Sequence, residues 1–221
     1  MATRTFLQLV NDVLEELREP AVTAWDENDY STLIGRFVND AKRAVENAHT
    51  WHALRDTFVV PTVAGTVTYA FTGTDDRAMV LDAWNYTTGG EMDETTWRYM
   101  NRIYFGVGTG TLETGSPTLW VHNGTDGTGQ TQVDVYPIPD AVESLKFTVF
   151  NPPSDFDADA DACEIPAHPI VKTALALARG ERGEDGGIST GEAAAFARSA
   201  AADSIALDAA KHSEDHIWSA V

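Results

Sequence analysis

Two stretches near the start of the chain repeat their apolar residues at the 3.6-residue period of a helix. In 29–51, DYSTLIGRFVNDAKRAVENAHTW, one face carries Tyr30, Leu33, Ile34, Phe37, Val38 and Val45, with Ala41, Ala44 and Ala48 between them. In 5–18, TFLQLVNDVLEELR, Phe6, Val10, Val13, Leu14 and Leu17 face one way, and Asp12, Glu15, Glu16 and Arg18 the other. Thr5 and Gln8 have the spacing of a capping box, and Asp26, Asn28 and Asp29 offer oxygens to the first turn of the longer helix. Proline disfavours helical geometry in the residue before it, so Glu19-Pro20 ends the first helix. Val22 and Trp25 then pin the turn between two antiparallel helices. Burying the apolar face of 29–51 would contribute roughly 10–15 kcal/mol before ordering entropy is subtracted, so that helix needs a partner surface.

From Thr57 the period shifts toward 2. TFVVPTV, TVTYAF, AMVLDAWNY, TWRYMNRIYFG, TLWVHNG, TQVDVYPIP and LKFTVFNPP are rich in Val, Thr and aromatics and separated by Gly, Asp, Asn or Pro clusters, which predicts seven short strands. Residues 151–165, NPPSDFDADADACEI, read as an acidic connector with too little apolar content to form an element. Pro166 and Pro169 then bracket a helix start, with Ile170, Ala174, Leu177 and Ala178 near one face. After a Gly-rich turn, Gly183 to Gly191, EAAAFARSAAADSIALDAAKH predicts a last helix whose small side chains permit close approach to a neighbour. The predicted class is α+β. A helical bundle is built from the N- and C-terminal helices (1–56 and 166–221), with an inserted antiparallel, sandwich-like β-domain (57–150) and the acidic connector between.

Charge narrows the function classes. The 221 residues carry a formal net charge of −19, spread as −4 over 1–56, −7 over 57–150 and −8 over 151–221. No segment has a basic footprint, which argues against tight phosphate binding and against an anionic membrane surface. No apolar run approaches the 18 residues of a spanning helix, there is no basic-then-apolar leader, and the lone Cys163 excludes an intramolecular disulfide framework. The expectation is a soluble, unprocessed protein.

Candidate chemistry is sparse. Asp155, Asp157, Asp159 and Asp161 alternate as in a calcium loop, but with Asp155 as position one the turn glycine is Ala160 and the bidentate glutamate is Pro166. A solvated acidic loop is the expected role. His212 and His216 lie four apart on a helix end without the glutamate of a metalloprotease, Ser213 following the first histidine. His49 and His52 flank Trp51 where an imidazolium would suit the helix dipole. Cys163 sits in an Asp-rich loop that disfavours its thiolate. Gly106, Gly108 and Gly110 follow a predicted strand but lead into no helix, so they make no dinucleotide loop. The reading is of no enzyme, no cofactor and no metal.

Several phrases, taken in order, resemble the phage head-to-tail adaptor family, whose short-tailed members are called tail tubular protein A. LVNDVLEELREPAV at 9–22 looks like the family's opening helix and its Gly-Glu-Pro-Pro-Val turn, departing at Arg18 and Ala21. FVNDAKRAVENAHTW at 37–51 is similar to the second helix, ending in Trp. VDVYPIPDAVESLKFTVFNPPSDFD at 133–157 and EIPAHPIVKTALALARGERGEDG at 164–186 resemble the closing strands, acidic connector and proline-started helix. The resemblance implies a virion structural protein at the head-tail junction, assembled in the host cytoplasm, forming a twelve-subunit ring under the portal. Such a ring extends the DNA channel and binds the next tail component, a nozzle or terminator, while double-stranded DNA passes without specific binding. By the same resemblance the portal attachment falls on Lys211 to Val221, where Ile217 and Trp218 are apolar residues in a polar tail. Trp218 folding back onto the bundle is the alternative.

Two other functions compete. One is another head-completion or tail-terminator ring protein. The other is a carbohydrate-binding or hydrolytic module using Trp84, Trp97, Tyr99, Tyr104 and Trp120, with Asp82, Glu91, Asp93 and Glu94 as candidate carboxylates.

Overall fold

The capping box expected at Thr5 closes in both directions in a computed structural model that describes residues 3–106, 108, 110–183 and 190–211. Gln8 N–H donates to Thr5 Oγ1 at 3.4 Å, and Thr5 N–H to Gln8 Oε1 at 3.1 Å. These bonds open α1 (Phe6–Glu16). Asn28 and Ser31 do the same for α2 (Asp29–Asn47), each side chain accepting the other's backbone N–H, at 2.9 and 3.1 Å. The remaining helices are α3 (Trp97–Gly106), α4 (Ala167–Arg182) and α5 (Thr190–Ala209). The strands are β1 (Arg55–Pro61), β2 (Thr68–Ala70), β3 (Met79–Asn85), β4 (Gly90–Glu91), β5 (Asp93–Glu94), β6 (Leu119–Thr125), β7 (Thr131–Tyr136) and β8 (Ser144–Phe150). The class is α+β. By its contacts the chain divides into a unit of the described residues of 1–53 and 155–221, and a unit of 54–154.

In the helical unit α4 packs against α1, α2 and α5. Ile170, Val171, Ala174, Leu175 and Ala178 of α4 are buried, so its inward stripe lies beside the expected one, and Leu177 is 40% exposed. Ala193, Ala197 and Ala200 are the buried positions of α5, small side chains against which α4 can approach closely. The inward stripe of α2 is Ser31, Ile34, Gly35, Val38, Ala41, Lys42, Val45 and Glu46, whereas Ala44 and Ala48, expected on that face, are exposed. Lys42 and Glu46 pair there at 2.9 Å with side chains 2% and 1% exposed. Reading the period from apolar residues alone hides such a pair, because both ionic side chains count as polar. Trp51 is buried, and its indole N–H donates to the Val45 carbonyl at 2.8 Å, which also accepts the Ala48 N–H at 3.3 Å at the end of the helix.

The turn after α1 holds a local conflict. Arg18 has φ 61°, and the bonds Arg18 N–H to Glu15 O (3.0 Å) and Glu19 N–H to Leu14 O (2.9 Å) form a Schellman closure with Arg18 in the left-handed position that glycine ordinarily fills. A side chain there costs about 1–2 kcal/mol, partly offset by glycine's larger unfolded-state entropy. Arg18→Gly is therefore expected to raise stability by about 0.5–1 kcal/mol, read as a higher urea midpoint at unchanged slope.

The β unit contains two four-stranded sheets, ordered β1-β8-β3-β4 and β2-β7-β6-β5. All pairings are antiparallel except β5 with β6, which is parallel and corrects the all-antiparallel expectation. Ala83, Leu145, Phe147 and Val149 from the first sheet and Tyr69, Trp120, Val133 and Val135 from the second belong to one buried cluster. Six of the seven predicted strands are present. The seventh, TWRYMNRIYFG, is α3. Its aromatic and branched residues favour strands by composition, but Met100 is buried while Ile103 and Tyr104 are half-buried, an i, i+3, i+4 set that only a helix turns to one side. Gly106 thus closes a helix and does not follow a strand. β4 and β5 have two residues each, too short for any periodicity to mark.

His122 joins the sheets. Its Nε2 accepts the Val80 N–H at 3.2 Å from the facing sheet, so that nitrogen carries no proton. Burial lowers the His122 pKa, with Glu94 acting weakly the other way. Because the folded pKa lies below the unfolded value, roughly 6.5, the unfolded chain binds the extra proton first and stability falls as the pH drops through that range. Thermal unfolding midpoints measured from neutral to mildly acidic pH should fall, and His122→Gln should flatten the fall.

Candidate interaction surfaces

The acidic loop from Asp155 onward is built into the helical unit. Phe156 exchanges both backbone bonds with the Asn39 amide, at 3.0 and 3.1 Å, and its ring lies 5.3 Å from Phe6. Carbonyls of Asp161 and Asp159 accept Phe6 N–H (2.8 Å) and Leu7 N–H (3.2 Å), supplying acceptors to first-turn donors of α1. The carboxylates turn to protein partners as well. Asp155 receives Arg43 Nε at 2.7 Å, Asp159 receives the Trp25 N–H at 2.8 Å, and Asp161 receives the N–H groups of Ala158 and Asp157 at 2.9 and 2.8 Å. The Ala158 and Asp157 amides hold the Asp161 carboxyl below its ordinary pKa. Three of the four alternating carboxylates are thus oriented by the fold and not toward a common centre. Among the described residues no group of three or more His, Cys, Asp or Glu side chains is placed to hold a metal ion. Cys163 is buried, its thiol donating to the Ile165 carbonyl at 3.2 Å, and burial pushes its pKa up to about 11.

At the other end of this unit Asp208 of α5 is the fixed point. It accepts His52 N–H at 2.9 Å and the Lys211 ammonium at 2.9 Å, and His49 Nε2 lies 3.3 Å away. Burial would raise the Asp208 pKa, but the His52 amide, Lys211 and His49 together outweigh it and lower the value. Lys211 is the one expected attachment residue within the described chain, and its ammonium is tied to Asp208. Ile217, Trp218 and Val221, like His212 and His216, lie outside the described residues.

The aromatics expected to make a sugar-stacking row are dispersed. Trp120 is buried with its indole N–H donating to the Met92 carbonyl at 3.2 Å. Tyr104 donates to the Val135 carbonyl at 3.0 Å, and burial pushes its phenol up to about 12. Trp84 stands on the exposed face of β3, its indole N–H on Asp82 Oδ2 at 3.0 Å, whereas Trp97 and Tyr99 are exposed on α3. The four candidate carboxylates divide between the sheets, Asp82 and Glu91 in one and Asp93 and Glu94 in the other.

The described residues leave exposed surfaces suited to contact. The outward face of the first sheet carries Val59, Lys146, Trp84 and Glu91 in register across four strands. The family model of the SU10 adaptor protein matches residues 4–219, nearly the whole chain. The chain belongs to the SU10 adaptor protein family. This is a family of phage head-tail adaptors, structural proteins of the virion, and membership accounts for a chain rich in contact surfaces. None of the curated proteins compared with it matches this adaptor chain. Among the described residues no helix is long and apolar enough to cross a membrane.

Proposed function

We propose that this adaptor is the subunit of a homo-oligomeric ring, twelve copies by its resemblance to tail tubular protein A, that docks under the portal. The ring extends the DNA channel and carries the next tail component. The single observation behind this reading is the family match across residues 4–219. In this reading both chain ends build one helical bundle, residues 1–56 and 166–221, and the β-domain of 57–150 is its insertion. The C-terminal segment from Lys211 to Val221 supplies the portal anchor through Ile217 and Trp218. A net charge of −19 keeps the channel wall repulsive to a threaded duplex, so DNA slides without sticking.

The test is mass by light scattering, for the protein alone and mixed with the portal ring of the same phage. Assembly into a ring on the portal, lost when residues 212–221 are deleted, is the expected result. A chain that never joins the portal would overturn the reading.

A further inference from the structure

The β unit keeps its cations in an unusual place. Residues 54–154 contain five arginines and lysines, Arg55, Arg77, Arg98, Arg102 and Lys146, against twelve carboxylates. Two of the five are on α3, and α3 has no acidic residue. Arg77 is held by Asp75 and the Pro153 carbonyl, but neither Arg98 nor Arg102 makes a hydrogen bond or ion pair with any described residue. At 100° per residue, Met100, Ile103 and Tyr104 define the inward side of α3. The opposite side then carries Arg98, Arg102 and Phe105, the two arginines i, i+4 apart, with Asn101 and Tyr99 at its margins. Phe105 on that side is 78% exposed and Tyr99, beside the arginines, 48%.

Large apolar rings flanked by arginines are the composition of interface anchors, and water is a poor permanent neighbour for them. The charge of the occupant follows from the helix itself. Two unpaired guanidinium groups call for carboxylates, and the abundant carboxylate surface available is that of the same protein, at net −19. A nucleic acid fits less well, because the two arginines are an isolated pair on a unit of net negative charge, too few for a phosphate track. A contact in which α3 of one copy meets a different, acidic surface of the next is heterologous, and repeats around a ring.

We infer that α3 is a copy-to-copy docking helix: its outward side, Phe105 with Arg98 and Arg102, seats on an acidic surface of a second copy of this chain. This inference rests on the ring reading above but is measured by a separate signal. A photo-crosslinking benzoylphenylalanine replaces Phe105 in the full-length chain, with and without the portal ring, and the joined peptides are identified by mass spectrometry. Co-sedimentation with the portal is recorded in parallel. The expected result is a crosslink from position 105 to an Asp- or Glu-rich surface of another copy, weakened at high salt. In R98E/R102E that crosslink should fall by about tenfold or more, whereas R98K/R102K retains most of it. Unchanged circular dichroism establishes that both variants fold.

Crosslinks only to the portal, only to nucleic acid, or to no partner would overturn the inference. If copies join the portal while position 105 contacts no other copy, the ring reading stands and the α3 assignment falls. If copies crosslink through position 105 but never join the portal, the α3 assignment stands and the portal reading falls.

Discussion

Replacing Glu46 with alanine is expected to lower stability by up to about 3–5 kcal/mol, because it removes the carboxylate paired with the Lys42 ammonium in the interior of the helical unit. The pair is one turn apart on α2, both side chains are almost wholly enclosed, and the Lys42 ammonium lies 5.0 Å from the Phe156 ring centre. Desolvating two ions is costly, so the pair is not itself a large source of stability. The penalty comes from removing one member alone. Lys42→Met/Glu46→Met should therefore recover most of the loss. Urea unfolding of the three proteins checks this: the midpoint should drop for the single variant and return for the double, at a common slope. A single variant within about 1 kcal/mol of the parent would mean that the Lys42 ammonium is compensated without Glu46.

Phe6→Ala should cost a comparable amount, about 3–5 kcal/mol, the range for emptying an aromatic site in a packed core. Phe6 is fully buried and its ring is 5.3 Å from both Trp25 and Phe156, so it joins α1, the turn after it and the acidic loop. Gly35 on α2 makes the room: a Cβ there would lie 3.2 Å from Phe6 Cζ and 2.9 Å from Trp25 Cε3. The loss should be accompanied by faster amide exchange at Trp25, whose N–H is held by Asp159. Phe6→Leu, which fills part of the volume, should cost less. Equal losses for the two variants would show that the site does not discriminate shape.

Local signals were the legible ones. The capping box at Thr5 and the amphipathic faces of α1 and α2 follow from residues a few positions apart, and six strand candidates follow from alternation between turn clusters. The acidic loop was not legible as part of the core. Its anchors, Asn39 with Phe156 and Trp25 with Asp159, join residues more than a hundred positions apart, and side-chain type announces none of them. The helix α3 is hard to read because its residue types favour strands while its spacing favours a helix. Of the expected attachment residues, Lys211 has an intrachain partner, and that bond depends on Asp208 reaching back to His52 across 156 positions. The same distance problem hid α3 as a contact surface. Two arginines in a short stretch look ordinary until the cations of the unit are seen to be few.

The helices that pack together are far apart in sequence, and this sets an order of events during synthesis. α1 and α2 leave the ribosome first, yet α4, the surface both pack against, begins only at Ala167. Residues 54–154, in contrast, contain all the strands of their own sheets and are complete before α4 is translated. The middle of the chain can therefore reach its native form while α1 and α2 have each other but still lack α4. For several seconds of translation, at roughly 5–20 residues per second, the sides of α1 and α2 that pack on α4 lack that helix. Full protection of the helices α1 and α2 should therefore rise only after α4 has emerged.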